Sequence, residues 1–106
     1  MGGYVINTRR KGQRKVLNCI KELTGKGWVV DTVEKTGRFI LVKDLFGLWD
    51  VIAIKPNRTK LIQVKSNKKP VMADFYDFQA RYPQFECEVW VYKDRELVPE
   101  VYGVFY

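Results

Sequence analysis

The chain has 106 residues, of which 46% are hydrophobic and 14% aromatic, and its formal charge is +7. This length and apolar content predict one compact domain over residues 1–106. Because the sequence contains no histidine, it excludes Ser-His and Cys-His catalysis and zinc sites that use histidine. Any chemistry must rely on carboxylates, lysine, tyrosine or a bound metal.

The positive charge is concentrated in two segments. Residues 1–26 hold seven cations against one acid, and residues 51–70 hold six cations and no acid. The two remaining segments are net acidic. Clustered basic charge is typical of surfaces that face nucleic-acid phosphates. The alternative is a solvated basic face without a partner.

Cellular location is read from the absence of targeting signals. No stretch approaches the roughly 18 apolar residues of a membrane span, and the first four residues lack the layout of a signal peptide. We therefore expect a cytoplasmic protein. Cys19 and Cys87 lack metal-site spacing and, in a reducing compartment, predict buried thiols rather than a disulfide.

The N-terminal half predicts one helix followed by strands. Tyr4 to Thr8 reads as a short extended arm. Apolar residues at helical spacing predict a helix from about Gln13 to Lys26, closed by Gly25 and Gly27. The segments that follow predict, in order, a strand at residues 28–33, a turn at 34–37 and a strand at 38–42.

The C-terminal half predicts a hairpin, a second helix and two further strands. The hairpin has strands at residues 49–54 and 60–65, joined by the turn Pro56-Asn57-Arg58-Thr59. The later elements are a helix within 70–82, a strand at 86–92 and an edge strand at 101–106. This order predicts an α/β (α+β) fold, with a central mixed sheet flanked by two helices.

The hairpin brings polar groups together on an apolar sheet. If the turn is centred on Asn57-Arg58, Lys55 pairs with Lys60, which places Asp50 opposite Lys65. Asp50, Gln63 and Lys65 then share one face. A carboxylate with neighbouring oxygens can hold Mg²⁺ (or Mn²⁺) for phosphodiester hydrolysis, and a nearby lysine can orient water or stabilise the transition state. The alternative is an exposed Asp50–Lys65 ion pair.

Other acids near the hairpin are candidates for a further metal ligand. Asp44 is the first of these, because Gly47 lets the backbone turn sharply and bring Asp44 toward Asp50. The alternative is a turn residue that caps its own backbone. Asp31 and Glu34 are weaker candidates.

Aromatic residues have two readings. Phe75, Phe78 and Tyr82 recur at helical spacing, which favours core packing over a base-stacking platform. Trp49 begins the apolar strand at residues 49–54, so packing is favoured over stacking on a base.

The arrangement of these motifs resembles that of the PD-(D/E)xK nuclease superfamily. The residues that carry the likeness are Arg10-Lys11-Gly12, a helix with the closing Gly27, Asp50-Val51-Ile52-Ala53 and Leu61-Ile62-Gln63-Val64-Lys65. The sequence is most similar to archaeal Holliday-junction resolvases and related small phage and prokaryotic nucleases. The resemblance implies a restriction-endonuclease-like fold and a metal-dependent endonuclease acting on DNA, with branched or Holliday-junction DNA as a candidate substrate.

The resemblance also assigns roles to residues. Asp50 matches the metal-binding aspartate, Gln63 the position of the second acid, and Lys65 the catalytic lysine. Two positions depart from the pattern: Gln63 replaces Glu or Asp, and Val16 stands where the resolvases have a glutamate. A catalytically weak or inactive nucleic-acid-binding module of the same fold is therefore the rival interpretation.

Partners follow from the same resemblance. Resolvases cut two opposed strands, so a homodimer is expected by analogy. Cations near the helix start and polar residues after Lys65 would contact the DNA backbone without reading its sequence; these are Arg9, Arg10, Lys11, Arg14, Ser66, Lys68 and Lys69.

Overall fold

The computed structural model describes the backbone of residues 3–32 and 44–105 and the side chains of residues 14–32 and 44–105. In this part of the chain two helices and five strands occur in the order α1 (Gly3–Gly25), β1 (Val29–Thr32), β2 (Val51–Lys55), β3 (Arg58–Ser66), α2 (Ala73–Arg81), β4 (Glu86–Tyr92) and β5 (Glu100–Val104). The turn predicted at residues 34–37 and the strand predicted at 38–42 lie outside the described residues.

The five strands form one mixed sheet in the order β1-β2-β3-β4-β5. Neighbouring strands are antiparallel except for β3 and β4, which are parallel. A parallel pair needs a crossover connection, and α2 provides it. The predicted α+β fold, with a mixed sheet between two helices, is confirmed.

Alternating residues of the strands face two separate apolar layers. On one face α1 packs through Cys19 and Leu23 against a cluster that also holds Trp28, Val51, Ala53, Ile62, Trp90 and Tyr92. On the other face α2 packs through Phe75 and Phe78 against Trp49, Leu61, Cys87, Val89, Val91 and Val104. The predicted alternation of β4 is confirmed, because its odd and even residues enter different clusters.

The predicted start of the first helix was wrong. The helix begins at Gly3, so Tyr4–Thr8 is helical rather than an extended arm. Gly12, just before the predicted helix start, lies inside the helix. The periodic apolar signal starts only at Val16, which packs against the core, and the residues before it carry no such pattern in the sequence.

The hairpin register also differs from the prediction. Lys55 pairs with Arg58 and Ile52 with Leu61, so the turn is Pro56-Asn57. Asn57 adopts a left-handed φ of 63°, which a type II turn requires at its second central residue. The shift is two residues, an even number, and each side chain therefore keeps its predicted face while its opposite partner changes.

Both cysteines are buried free thiols, as predicted. Burial raises the pKa of Cys19 to about 12 and that of Cys87 to about 11. Neither thiol is ionised near neutral pH, so neither is an activated nucleophile there. Within the described residues, no helix is long and apolar enough to cross a membrane.

Candidate metal and phosphodiester site

A tight loop ahead of β2 places two aspartates opposite each other. Leu45 and Trp49 form an antiparallel bridge, in which the Leu45 N–H donates to the Trp49 carbonyl at 2.6 Å and the Trp49 N–H to the Leu45 carbonyl at 3.0 Å. Gly47 closes the loop with a φ of 75°. The residues just outside the bridge are Asp44 and Asp50, which therefore lie side by side.

Asp50, the residue just before β2, is held by its neighbours on β3. Its backbone N–H donates to the Ile62 carbonyl at 2.9 Å, and its carboxylate Oδ2 accepts the Val64 N–H at 2.9 Å. The Asp50 carboxylate thus accepts a β3 backbone N–H in the way that a backbone carbonyl of a neighbouring strand would. This contact fixes the direction of the carboxylate and could not be read from residue spacing.

Gln63 donates to Asp50. With its amide assigned by the surrounding acceptors, the Gln63 nitrogen lies 3.1 Å from Asp50 Oδ2 and 2.5 Å from the Leu48 carbonyl. Continuing the observed register by one pair brings Gln63, rather than Lys65, opposite Asp50. The predicted Asp50–Lys65 pairing was therefore wrong. In this orientation Gln63 stabilises the carboxylate, and its carbonyl oxygen becomes a metal ligand only after the amide rotates.

Lys65 lies farther along β3, on the same face as Gln63. It pairs in parallel register with Val91, and its side chain is half-buried. Its positive charge lowers the pKa of Asp50. We call Asp44, Asp50, Gln63 and Lys65 the carboxylate centre.

The pKa of Asp50 is raised from 3.8 to about 6. Burial is the largest cause. The Val64 hydrogen bond lowers the pKa, and a hydrogen bond to Asp44 and the charge of Asp44 raise it again. Two carboxylates close together in a partly desolvated place favour a shared proton or a cation.

The donor chemistry of the carboxylate centre fits a hard divalent ion. Carboxylate and carboxamide oxygens are the ligands that Mg²⁺ and Mn²⁺ prefer. Burial and the neighbouring Asp44 raise the pKa of Asp50, and a cation bound between the two carboxylates would favour their ionised forms. Among residues 14–32 and 44–105, no group of three or more acidic or cysteine side chains is placed to hold a metal. The centre therefore offers two carboxylates and one amide.

Other candidate ligands lie elsewhere. Asp31 is exposed on β1, and its carboxylate accepts the N–H of the next residue, Thr32, at 2.8 Å. Glu34 lies outside the described residues. Val16, at the position of the resolvase glutamate, packs against the α1 core.

The predicted DNA-contacting residues divide into two groups. Arg14 is exposed on α1, whereas the side chains of Arg9, Arg10 and Lys11 lie outside the described residues. Ser66 is exposed at the end of β3, and Lys68 and Lys69 are exposed just after it. The Lys69 ammonium lies 4.6 Å from the centre of the Tyr102 ring.

The segment after β3 is anchored by Asn67. Its φ is 64°, its N–H donates to the Tyr92 carbonyl at 2.9 Å, and its side-chain oxygen accepts the Asp94 N–H at 2.9 Å. Exposed lysines therefore stand on a fixed backbone just beyond Lys65.

The aromatic residues pack as favoured from sequence. Trp49 is fully buried, with its ring edge-on to Phe75 and Phe78. It is therefore unable to stack on a base. Tyr82 contacts Phe78 at 4.8 Å between ring centres but is 44% exposed, so the core includes only part of the predicted stripe.

Sequence comparison finds no matching family model and no matching curated protein. Comparison of structures does find a likeness, to Hjc, a Holliday junction resolvase from the archaeal hyperthermophile Archaeoglobus fulgidus. The TM-score is 0.62 at 22% identity, over 89% of this chain and 73% of that one. The chain thus has a resolvase-like, restriction-endonuclease-like fold.

Proposed function

We propose that the protein is a metal-dependent endonuclease, a PD-(D/E)xK nuclease-like domain over residues 1–106, that hydrolyses DNA phosphodiester bonds. The observation that carries this proposal is the carboxylate centre: two opposed aspartates, an amide and a lysine at one end of the hairpin. The resolvase-like fold supports branched or Holliday-junction DNA as the substrate.

Each residue of the centre has a role in this proposal. Asp44 and Asp50, with Gln63 after rotation of its amide, would hold Mg²⁺ or Mn²⁺. When bound, such an ion lowers the pKa of a coordinated water and neutralises charge on the phosphate. Val64 and Gln63 orient Asp50. Lys65 positions the attacking water and offsets negative charge that develops on the phosphate oxygens.

DNA would lie across the exposed lysines that follow β3. Ser66, Lys68 and Lys69 contact the phosphate backbone next to the centre, and Arg9, Arg10, Lys11 and Arg14 contact it from α1. Such contacts bind DNA without selecting a sequence. Cutting two opposed strands of a junction requires two centres, so the active form is a homodimer.

The alternative is a DNA-binding module without catalytic activity. It is favoured by Gln63, which brings a neutral donor to the place of a second acid and satisfies Asp50 without a metal. Under this alternative the fold and basic surface act in binding alone.

A cleavage experiment distinguishes the two functions. Wild type, Asp50→Ala and Lys65→Ala are incubated with duplex, single-stranded and four-way-junction DNA in Mg²⁺ or Mn²⁺. Removing one group that acts on the transition state costs about 10²-fold or more in rate, so we expect cleavage by wild type and its loss in both variants.

Matched controls are Glu96→Ala and Lys26→Ala, which remove exposed charges outside the centre. They are expected to cleave like wild type. Salt-sensitive DNA binding by wild type with no cleavage under any condition would establish the binding module instead. Analytical ultracentrifugation with and without junction DNA tests the homodimer.

A further inference from the structure

A cavity of about 310 Å³ lies between α2 and the loop that carries Asp44. Its lining includes Phe46 and Leu48 from the loop and Asp77, Phe78, Arg81 and Tyr82 from α2 and the residue after it. We call it the α2 cavity. Its volume is at the lower end of the range, about 300 to 1,000 Å³, in which proteins hold small molecules.

Phe46, at this cavity, has an unfavourable backbone conformation and an exposed side chain. Its φ of 54° lies in the left-handed region, which is unfavourable for a bulky side chain. The side chain is nevertheless 64% exposed, so burial offsets little of that strain. Strain of this kind is found preferentially at ligand-binding sites.

The aromatic groups of the α2 cavity suit a flat ligand. Phe46 and Tyr82 both line it, and each contacts Phe78, at 5.8 and 4.8 Å between ring centres. Both rings retain exposed surface, 64% for Phe46 and 44% for Tyr82. Exposed aromatic rings are the usual stacking partners of unpaired bases.

The charges of the α2 cavity favour a base over a phosphate. Asp74 and Asp77 lie in its lining, and Arg81 is already paired with Asp77 at 3.4 Å. Carboxylates repel phosphate but accept the N–H groups on base edges. The phosphates of a bound strand therefore belong outside this cavity, toward Lys65 and the lysines after β3.

The α2 cavity and the carboxylate centre are linked through Leu48. Leu48 is part of the cavity lining. Its backbone carbonyl accepts a hydrogen bond from the Gln63 amide at 2.5 Å. Asp44 and Asp50 flank this short loop, one on each side. A ligand in the cavity thus lies next to the chemistry of the centre.

We propose that the α2 cavity binds one unstacked nucleobase, next to the phosphate that reaches the carboxylate centre, by stacking on Phe46 and Tyr82. The inference rests on the proposed function and narrows its substrate to DNA with an unpaired or easily unpaired nucleotide. In a continuous duplex both faces of a base are covered, and unstacking costs least at a bulge, a branch point or an end.

The test measures binding without cleavage. Wild type in EDTA at low salt is titrated with three fluorescent duplexes: one fully paired, one with a single bulged adenine, and one with an abasic bulge. We expect the bulged adenine to bind most tightly. Phe46→Ala should lose about tenfold in affinity for that duplex and little for the other two, and Phe46→Trp should retain the preference.

Controls separate the base cavity from general effects. Phe105→Ala removes another exposed phenylalanine, which follows β5 and is 78% exposed. This variant should still prefer the bulged adenine. Thermal unfolding checks that each variant folds. Equal affinity of wild type for the three duplexes, or an equal loss for all three in Phe46→Ala, would overturn the inference while leaving nuclease activity intact. Failure to bind any DNA would overturn the proposed function as well.

Discussion

The fold changes the protonation of Asp50. Its pKa is about 6 in the folded chain and 3.8 ordinarily, chiefly because of burial. A raised carboxyl pKa means that ionisation opposes folding. This cost is absent below pH 3.8, grows as the pH rises toward 6, and is complete above 6.

Asp50→Asn should therefore stabilise the metal-free protein at pH 7.5 and leave its stability nearly unchanged at pH 4. The full shift corresponds to about 3 kcal/mol, and solvent access to the half-buried carboxyl reduces the expected gain to about 1 to 2 kcal/mol. Urea unfolding in EDTA at the two pH values measures it. A gain of the same size at both would show that the carboxyl charge is not responsible.

Gln63→Glu tests how the missing charge limits the carboxylate centre. A third carboxylate strengthens attraction for Mg²⁺, and a ligand that binds only the folded state raises Tm. We expect a larger Mg²⁺-induced rise in Tm than in wild type, and a lower Tm in EDTA because like charges then meet Asp44 and Asp50.

The control is Gln84→Glu, the same chemical change at an exposed position. It should leave the Mg²⁺ response at the wild-type value. If Gln63→Glu also leaves that response unchanged, Gln63 does not face the metal, and the centre would hold the ion through the aspartates alone.

At the scale of elements, the β2–β3 hairpin depends on its turn. Asn57 at a φ of 63° sits in a conformation that glycine and asparagine tolerate and other residues adopt at a cost of about 1 kcal/mol. The turn determines which residues of β2 and β3 face each other, and so delivers Gln63 to Asp50.

Asn57→Ala should destabilise the protein by about 1 kcal/mol, whereas Asn57→Gly should change its stability by only a few tenths. Denaturant unfolding measures the free energy of unfolding of each variant, and the difference between the two reports the backbone strain at this exposed position. Equal losses would instead indicate that the Asn57 side chain makes the stabilising contact.

The charge of the whole molecule makes a further prediction about DNA binding. Each cation that neutralises a phosphate releases counterions, so removing one such cation reduces the slope of log affinity against log salt by about 1. Lys68→Ala combined with Lys69→Ala should reduce that slope by about 2. Anisotropy titrations over a range of salt concentrations measure it.

Lys26→Ala provides the comparison, because Lys26, just after the C-terminal end of α1, is paired with Glu22 at 3.0 Å. Its slope should equal that of wild type. A slope that falls equally in both proteins would mean that net charge, rather than a particular surface, governs binding.

Much of the fold was predictable because its signals are local. The alternation of Cys87 to Tyr92 and the helical spacing of Phe75 and Phe78 follow from the periods of strand and helix, and the structure confirms both. The first turns of α1 were not predictable in this way, since its polar residues before Val16 carry no apolar period.

At the candidate site, the sequence determined some features and the tertiary structure determined others. The sequence by itself determined that chemistry here must use carboxylates, lysine, tyrosine or a bound metal, and that Gln63 and Lys65 share a face of one strand, because side-chain direction in a strand repeats every two residues. Only the tertiary structure decided which groups meet: the Leu45–Trp49 bridge brings Asp44 beside Asp50, and the register brings Gln63 to it instead of Lys65. Such pairings depend on turn geometry and on contacts between distant segments, and no local pattern of residues encodes them.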